Sequence, residues 1–528
     1  MNQPQRNALY YAFIVALGGF IFGLDIMLIS GTHEYTKAEF GLTSLQLGNI
    51  AAGPGYGALL ALLFAGYFSD KFGRKNTLII IAALYTISAI GSAFAPSYFW
   101  LFIARLIGGL AFTSLSLASI YIGEIAPAKM RGKLVGMNQL NIVIGVFVAT
   151  LVNYFLVNTA QEAPSWAQAI LLDEQHVWRW MLGVEIIPAM IWLALLFVIP
   201  RSPHWLILNG HQKEAESVME KIRPAEDVAQ EINDIKVSIN SAESTPSLLE
   251  QAEAIFSKPM RIALLIGVFM ALVQPLTGMN AMLAFMPMIF QQVGGDSSAF
   301  AQSVVVNLVG ISFTILAMLL IDKLGRRFIL LGGLTVGTVA MAIVAFAFFN
   351  AVYVITPDTL SAMNVAVEDA GKFAPLLNTE FYSDVDIKEA VLGTVGQEMY
   401  STVEANLIIS TASMNGTLVF IGIVTFVCAY NFSIGPILWI LFSEVFPTKV
   451  RALAITGCAF ITSVFGGVVV PTLFPVQMET IGAAFTFAIY GVMCAIGLFA
   501  MASILPETKG KSIEEIEEEL KARSLGKT

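Results

Sequence analysis

The sequence predicts an all-α membrane protein in which twelve transmembrane helices form two pseudo-symmetric six-helix bundles joined by a cytoplasmic helical linker. Three observations predict this class: the composition, the number of long apolar runs and an internal repeat. Of the 528 residues, 56% are hydrophobic and only 13% are charged, whereas a soluble domain carries about 25% charged residues. A soluble fold of this size could not bury so much apolar surface in one core, but a bilayer solvates such side chains directly.

A helix needs about 20 apolar residues to cross the hydrocarbon core of a bilayer. The first half of the chain offers six such runs, near 9–31, 48–68, 77–95, 99–122, 134–157 and 180–199. The second half offers six more, near 261–290, 302–321, 328–353, 414–442, 452–474 and 481–505.

These runs divide the chain into four regions. We expect an N-terminal bundle at 1–200, a helical linker at 201–258, a C-terminal bundle at 259–506 and a cytoplasmic tail at 507–528. The linker is rich in Glu, Lys, Ser and Gln. A second polar stretch, 354–408, separates the ninth and tenth runs and holds nine acidic residues but only two lysines. Its length and charge predict a solvated, partly mobile extracytoplasmic insertion.

The distribution of Lys and Arg predicts the orientation. If both termini are cytoplasmic, 24 of the 29 basic residues fall in inner loops and tails. Only Lys37, Arg179, Lys372 and Lys388 then lie outside, and Arg105 lies within a run. Because inner loops of membrane proteins carry the excess of Lys and Arg, we expect an even number of spans with both ends inside, in a plasma (inner) membrane.

Several other classes of function find no support in the residues. No basic run suited to a nucleic-acid groove is present. The cysteines Cys428, Cys458 and Cys494 fall in apolar runs and lack metal-ligand spacing. Since no nucleophile–base or metal constellation stands out either, we expect no enzyme activity, no cofactor and no bound metal.

An internal repeat relates the two halves. An Asp-Lys-x-Gly-Arg loop follows the second run and again the eighth, and a Glu that precedes an Arg by seven residues follows the fourth run and again the tenth. The repeated residues are Asp70, Gly73, Arg74, Glu124 and Arg131 in the first half and Asp322, Gly325, Arg326, Glu444 and Arg451 in the second. The halves are therefore predicted to be duplicates, with the polar insertion added to the second.

Five motifs in order carry a resemblance to a known family. They are Gly18–Gly31 in the first run, Glu124–Leu134, Gly435–Trp439, Ser443–Pro447 and Pro506–Gly510. Together they resemble the sugar porter family of the major facilitator superfamily, which includes bacterial xylose–proton symporters and animal glucose transporters. The resemblance implies a major facilitator fold, a monosaccharide or polyol as cargo, and alternating access in which two halves rock about a site near the midplane.

The repeated loops also acquire a role from this resemblance. It implies that the Asp-Gly-Arg loops and the Glu/Arg pairs hold an inner gate shut in the outward-facing state. One family motif departs from its usual form: where the family has Pro-Glu-Ser-Pro-Arg after the sixth run, this chain has Pro200-Arg201-Ser202-Pro203-His204. A basic residue thus replaces an acidic one beside the expected gate.

Three ionisable residues lie inside apolar runs: Asp25 in the first, Arg105 in the fourth and Glu185 in the sixth. Such groups are costly in hydrocarbon and mark functional sites by default. A lone buried carboxylate tends to take a proton, and a nearby arginine reverses that preference. The resemblance implies that Asp25 takes up the coupling proton, since proton-independent animal glucose transporters carry Asn there. The alternative is a structural triad that only locks helices together.

A sugar site needs amide side chains, which both donate and accept hydrogen bonds, and an aromatic surface for the ring. At family sugar-contact positions this chain has Gln139, Gln274, Asn280 and Trp439. Asn431 could supply a further amide, and Thr462 stands where the family has an amide in the eleventh run. The alternative for each is packing or interhelical hydrogen bonding without a ligand.

The expected site also departs from the family. Pro275 replaces a second glutamine, Ala284 a tyrosine, Ser463 a tryptophan and Val146 a polar residue. The site has thus lost hydrogen-bonding groups and an aromatic wall, which favours a larger or less hydroxylated cargo.

Two other functions stay open. One is a proton-independent sugar or polyol facilitator, in which Asp25 would be structural. The other is a non-transporting sugar sensor, a class that usually has a long cytoplasmic tail, whereas the stretch after Pro506 is short.

Overall fold

The computed structural model describes residues 3–126, 130–242, 248–293, 299–363, 365–366, 369–447, 449–511 and 513–525. The chain divides into two compact units. Unit 1 comprises Met1–Tyr35 and Ile50–Ala252, and unit 2 comprises Thr36–Asn49 and Glu253–Thr528. Residues 201–252, which belong to the predicted linker, thus pack with unit 1.

Within the described residues, twelve helical segments are long and apolar enough to cross a membrane, which confirms the predicted number. Spans 1 to 6 are Gln3–Gly31, Ser44–Phe64, Arg74–Ala93, Tyr98–Ile125, Met137–Glu162 and Val177–Leu196. Spans 7 to 12 are Lys258–Val293, Ala299–Ile321, Arg326–Phe349, Gly416–Val445, Leu453–Thr480 and Gly482–Ile504.

The individual helices show where these spans are continuous and where they break. Through span 6 they are α1 (Gln3–Leu28), α2 (His33–Phe40), α3 (Ser44–Phe72), α4 (Arg74–Ala93), α5 (Tyr98–Leu110), α6 (Ser114–Ile125), α7 (Arg131–Glu162), α8 (Ser165–Ala169), α9 (Val177–Gly183) and α10 (Ile186–Leu196). A 3-10 turn at Ala111–Thr113 divides span 4, and a two-residue break that contains Glu185 divides span 6.

The linker is helical, as its composition predicts. It contains α11 (Pro203–Leu208), α12 (Gln212–Ile222), α13 (Ala225–Ala242) and α14 (Leu248–Ile255). Arg223, only 4% exposed, fixes this region to the end of α6. Its guanidinium donates to the carbonyls of Ile125 at 2.7 Å and Ala126 at 2.9 Å and pairs with Glu231 at 2.7 Å. A cation at the carboxyl end of a helix satisfies carbonyls that lack a partner within the helix.

The second half repeats the pattern with one addition. Its helices are α15 (Arg261–Leu276), α16 (Met279–Val293), α17 (Ala299–Leu324), α18 (Arg326–Phe349), α19 (Pro357–Ala362), α20 (Asp384–Thr411), α21 (Gly416–Phe432), α22 (Ile434–Val445), α23 (Arg451–Ser463), α24 (Val470–Thr480), α25 (Gly482–Ile504) and α26 (Ile513–Ser524). Span 7 breaks after Pro275, where Gly278 has φ +85°. Span 11 contains a π-helical segment, Val464–Val469.

The repeated loops make the same turn in both halves. Gly73 has φ +82° and Gly325 has φ +95°, a backbone conformation that costs glycine little and other residues much more. Each glycine directly precedes the helix that begins with Arg74 or Arg326. The glycine of the repeat therefore sets where the two arginines begin their helices.

The insertion between spans 9 and 10 contains a folded core that its polar sequence does not predict. Strands β1 (Val352–Val354), β2 (Glu380–Phe381) and β3 (Ala412–Ser413) form an antiparallel sheet in the order β2-β1-β3. Tyr353, Phe373, Ile387 and Leu407 bury their side chains together beside it. The apolar residues scattered along this stretch thus contact one another only in the folded chain. Glu404 of α20 also pairs with Lys37 of α2 at 3.0 Å.

Candidate functional site

A buried ion pair lies at the centre of unit 1. Arg105 of α5 grips the carboxylate of Asp25 in α1 with both terminal nitrogens, one of them 3.1 Å from Oδ2. The same guanidinium donates to the backbone carbonyl of Asp25 at 3.2 Å. Both side chains are 1% exposed. The fold thus brings together two charges that the sequence places 80 residues apart, with the fork-to-fork geometry that makes arginine–carboxylate pairs strong.

Glu185 completes the cluster from the break in span 6. It is 2% exposed and interacts electrostatically with Asp25 and Arg105. Its Oε1 has no hydrogen-bond partner among the described residues. Two buried carboxylates therefore lie within the electrostatic influence of one guanidinium. One bound proton would make the cluster neutral, so this arrangement can hold and release a proton.

The amide residues of span 7 lie in unit 2 on either side of the Pro275 break. Gln274 is 9% exposed, and its Nε2 donates to the hydroxyl of Tyr430 in α21. Its Oε1 has no partner within the described part of the chain. Asn280 donates from Nδ2 to the Gly466 carbonyl at 2.8 Å. Gly466 belongs to the π-helical segment of span 11, a type of helix found often at functional sites.

Tyr430 is a residue that the sequence reasoning missed. It lies one position before Asn431, near the break between α21 and α22, and is 7% exposed. Its hydroxyl orients the Gln274 amide so that the carbonyl oxygen is the group left for another donor. A polar aromatic residue next to a broken helix is the signal that could have identified it.

The remaining predicted contact residues differ in their surroundings. Thr462 donates to the Ala271 carbonyl at 3.3 Å, and Asn431 is half-buried. Trp439 is 53% exposed and meets Phe442 edge-on at 5.8 Å. Gln139 is exposed on α7 and belongs to unit 1, whereas the other five candidates belong to unit 2.

The repeated Arg and Glu residues form matching ion pairs in the two units. In unit 1, Arg74 donates from Nε to Glu124 at 3.1 Å and pairs with Asp70 at 3.1 Å. In unit 2, Arg326 donates to Glu444 at 3.2 Å from Nε and pairs with it at 3.1 Å from its terminal nitrogen. The duplication is thus preserved in the contacts as well as in the sequence.

The other residues predicted to form the gate are less symmetric. Arg451 donates to the Phe446 carbonyl at 3.0 Å. The side chains of Arg131 and Asp322 lie outside the described residues. Glu124 also accepts a hydrogen bond from Ser202, and Arg201, the residue that departs from the family motif, approaches Glu214 at 3.5 Å on the surface.

Glu507 belongs to the Pro506–Gly510 motif and makes a contact that the sequence did not predict. Its carboxylate accepts from the backbone N–H of Arg326 at 3.0 Å and of Arg327 at 3.2 Å. An anion is stabilised there because the first N–H groups of a helix lack partners and carry partial positive charge. Glu507 therefore fixes the start of α18, next to the Arg326–Glu444 pair.

Comparisons with known proteins agree with this architecture. A family model described as "Sugar (and other) transporter" matches residues 11–367 and 390–520. The putative metabolite transport protein YwtG of Bacillus subtilis (strain 168) is 30% identical over 527 residues, which is 99% of this chain and 97% of that protein. The arabinose-proton symporter of the same organism is 30% identical over 503 residues, 95% of this chain and 92% of that protein.

Among solved structures, the inward-open conformation of the xylose transporter XylE from E. coli matches with a TM-score of 0.70 at 26% identity, over 96% of this chain and 98% of that one. The major facilitator fold that the family resemblance implied is thereby confirmed. The chain belongs to the sugar (and other) transporter family.

Proposed function

We propose that this protein moves a sugar or sugar-like solute across the membrane together with a proton. The observation that carries the proposal is the buried cluster of Asp25, Arg105 and Glu185, which has one carboxylate more than its single guanidinium can neutralise. The chain belongs to a family of solute transporters. Its relatives include proteins named as arabinose-proton and D-xylose-proton symporters.

In the proposed cycle, Asp25 accepts the proton from the extracytoplasmic side. A protonated Asp25 no longer attracts the guanidinium as an anion, so Arg105 is free to turn toward Glu185, whose Oε1 is without a partner in the described structure. The charge of the cluster then stays balanced while its geometry changes. A proton is thereby linked to a movement of spans 1, 4 and 6 against one another.

The solute is proposed to contact the amide and aromatic residues. The free Oε1 of Gln274 would accept from a hydroxyl of the solute, Asn280 would add a second amide, and Trp439 would cover an apolar ring face. Gln139, Asn431 and Thr462 are the further candidates. Pro275 and Ala284 supply neither a hydroxyl nor an amide, which favours a solute with fewer hydrogen-bonding groups than a simple pentose.

The repeated ion pairs are proposed to form the inner gate, with both termini cytoplasmic. Arg74–Glu124 and Arg326–Glu444 each join the start of one helix to the last turn of another, at the end of the bundle that carries most of the Lys and Arg. Arg131 and Arg451 would strengthen the same gate. The excess of basic residues at this end supports the cytoplasmic assignment.

A proton-independent facilitator is the second candidate. The two-pronged grip of Arg105 on Asp25 favours it, because an ion pair of this geometry would also serve as a fixed structural lock. In that case Asp25 would never be protonated during transport.

Uptake by proteoliposomes with an imposed inward proton gradient separates the two candidates. A panel of pentoses, hexoses and polyols is tested on the parent protein, on Asp25→Asn and on the control Glu214→Gln, whose side chain is 45% exposed on the linker surface. Gradient-driven accumulation that is lost in Asp25→Asn and kept in the control establishes symport. Uptake that only equilibrates in both parent and Asp25→Asn establishes a facilitator. If no panel member enters, simple sugars are not the cargo.

A further inference from the structure

Two serines of α4 bury their hydroxyls without using them inside the protein. Ser88 and Ser92 lie one helical turn apart on the same face of α4, and each is 1% exposed. Neither Oγ has a hydrogen-bond partner among the described residues. Hydroxyls in helices commonly bond back to the carbonyl four residues earlier, as Thr86 does to Ala82 at 2.9 Å on the same helix. Buried polar groups that stay unpaired call for an explanation.

The inner serine borders the charge cluster. A Cβ placed on Gly108 of α5 would lie 2.5 Å from the Ser88 hydroxyl and 3.9 Å from Oδ1 of Asp25. Glycine at this position therefore lets the Ser88 hydroxyl pack against α5, close to the Asp25 carboxylate. Any larger residue would collide with the hydroxyl and displace it.

The second serine, Ser92, lies near the end of α4 that is opposite Arg74. Ala93, the residue after Ser92, ends α4 at the end opposite Arg74, and its Cβ lies 3.6 Å from the position of a Cβ on Gly183. Gly183 is followed two positions later by Glu185, at the break in span 6. Arg179 lies at this end, a few residues after Asp173 and Glu174, and donates to the carbonyls of Ala93 at 3.3 Å and Ala95 at 2.8 Å.

Polar atoms of the charge cluster are also unpartnered. Besides the two serine hydroxyls, Oε1 of Glu185 and Nε of Arg105 are buried without hydrogen-bond partners within the described ranges. The hydroxyl of Tyr85, about one turn before Ser88 on α4, lies 3.5 Å from the Ser114 hydroxyl. In an apolar bundle, each such atom costs free energy unless something else satisfies it.

We infer that Ser88 and Ser92 form, with hydrogen-bonded water, the route by which protons pass between the extracytoplasmic end of the bundle and Asp25. The inference rests on the proposed proton coupling. A hydroxyl both donates and accepts, so each serine takes a proton from water on one side and releases its own to water on the other. Rotation about the C–O bond then restores it. The hydroxyls are unchanged overall, and the proton ends on the Asp25 carboxylate.

Single substitutions Ser88→Ala and Ser92→Ala, and the double variant, test the route in proteoliposomes. The substrate is whichever panel member the parent accumulates. Proton influx coupled to uptake is followed with a pH-sensitive dye trapped inside, and exchange of labelled for unlabelled substrate is followed without a proton gradient. Thr86→Val is the matched control, because it removes a hydroxyl from the same helix that is already hydrogen-bonded to its own backbone.

We expect the double variant to lose proton-driven uptake by about tenfold or more, as for other losses of a proton-transfer group, while exchange stays near the parent rate. Thr86→Val should match the parent in both assays. Gly108→Ala, whose Cβ would displace the Ser88 hydroxyl, should resemble Ser88→Ala. Equal losses of uptake and exchange in the serine variants would indicate a packing role and overturn the route.

Asp25→Asn, measured alongside, distinguishes a failure of the serine route from a failure of the proposed symport. If Asp25→Asn abolishes accumulation but the double serine variant keeps the parent rate of proton influx, the route is wrong and the proposed symport stands. If Asp25→Asn leaves accumulation unchanged, the proposed symport fails and the route fails with it.

Discussion

At the scale of single residues, the proposed function depends on polar atoms that the apolar bundles leave incompletely paired. Arg105 satisfies Asp25 fully yet shares its charge with Glu185. In unit 2, Gln274 uses its amide nitrogen on Tyr430 and leaves its carbonyl oxygen without a partner in the described residues. In both places, a neighbouring side chain decides which atom stays open to a proton or a solute.

The Tyr430 hydroxyl is expected to position Gln274 for the solute. Tyr430→Phe should raise the KM for the transported solute roughly fivefold, because the lost hydrogen bond costs about 1 kcal/mol. The KM and the maximal rate are obtained from initial uptake at varied solute concentration. Tyr382→Phe, at a tyrosine that is 65% exposed, is the control and should leave both unchanged. A KM for Tyr430→Phe equal to that of the parent would remove Tyr430 from the site.

At the scale of elements, the parts outside the spans are more ordered than their polar composition suggests. The insertion buries Tyr353, Phe373 and Ile387 in a core of its own, and the family model leaves 368–389 unmatched within it. The terminal helix α26 also docks against α15, where the N–H of Ile262 donates to the Ser524 hydroxyl at 3.3 Å. Buried apolar residues on α26, Ile516 and Leu520, explain this docking.

The stability of the docked helix α26 is expected to depend on pH through Glu519. A hydrogen bond from Lys511 lowers the pKa of Glu519 against the opposing effect of burial, and Arg523, at 2.7 Å, lowers it further. A carboxylate whose folded-state pKa is depressed stabilises the fold above its unfolded-state pKa of about 4.3. That contribution is lost as the pH falls through the lower folded-state value.

Hydrogen exchange of α26 measured between pH 7 and pH 3, corrected for intrinsic rates, should therefore show a loss of protection below about pH 4. Glu519→Gln should exchange faster at pH 7 and lose this pH response. Protection of α26 that is independent of pH in the parent would show that the Glu519 ion pairs do not hold the helix.

At the scale of the whole molecule, duplication supplies two copies of one ion pair, the element proposed to form the gate. Arg74–Glu124 and Arg326–Glu444 occupy matching places in units 1 and 2, and each follows a glycine turn. The copies have diverged beside this shared pair. Glu507 holds the start of α18 in unit 2, whereas the matching motif in unit 1 carries Arg201, which turns to Glu214 of the linker.

Glu124→Gln is expected to shift the protein toward the state with the inner gate open. The variant weakens the bonds to Arg74 and Ser202, and a loss of about 1 kcal/mol shifts a two-state population roughly fivefold. The measurement is the labelling rate of a cysteine introduced at Ser69, which is 7% exposed, in a background without the native cysteines. Glu214→Gln serves as the control. Equal labelling of Glu124→Gln and parent would exclude a gate role for this pair.

The sequence alone determined those features that are local in the chain or that repeat along it. The length of each apolar run reveals the twelve spans, because crossing a bilayer depends on consecutive residues. The loops at Asp70 and Asp322 reveal the duplication, because each turn is encoded within a few positions. The contact between Asp25 and Arg105 could be predicted from the sequence. The family resemblance implied it, and a charge buried in hydrocarbon requires a partner.

Only the tertiary structure decided which distant atoms meet. Gln274 and Tyr430 are 156 positions apart, and Ser88 and Asp25 come near each other because both lie beside Gly108 of a third helix. The core of the insertion likewise forms from residues scattered through a polar stretch. Such contacts depend on how helices pack, and packing is decided by the shapes of many side chains at once. For this reason, the sequence identified the class and the charged residues, while the proposed route of the proton and the orientation of the amides required the fold.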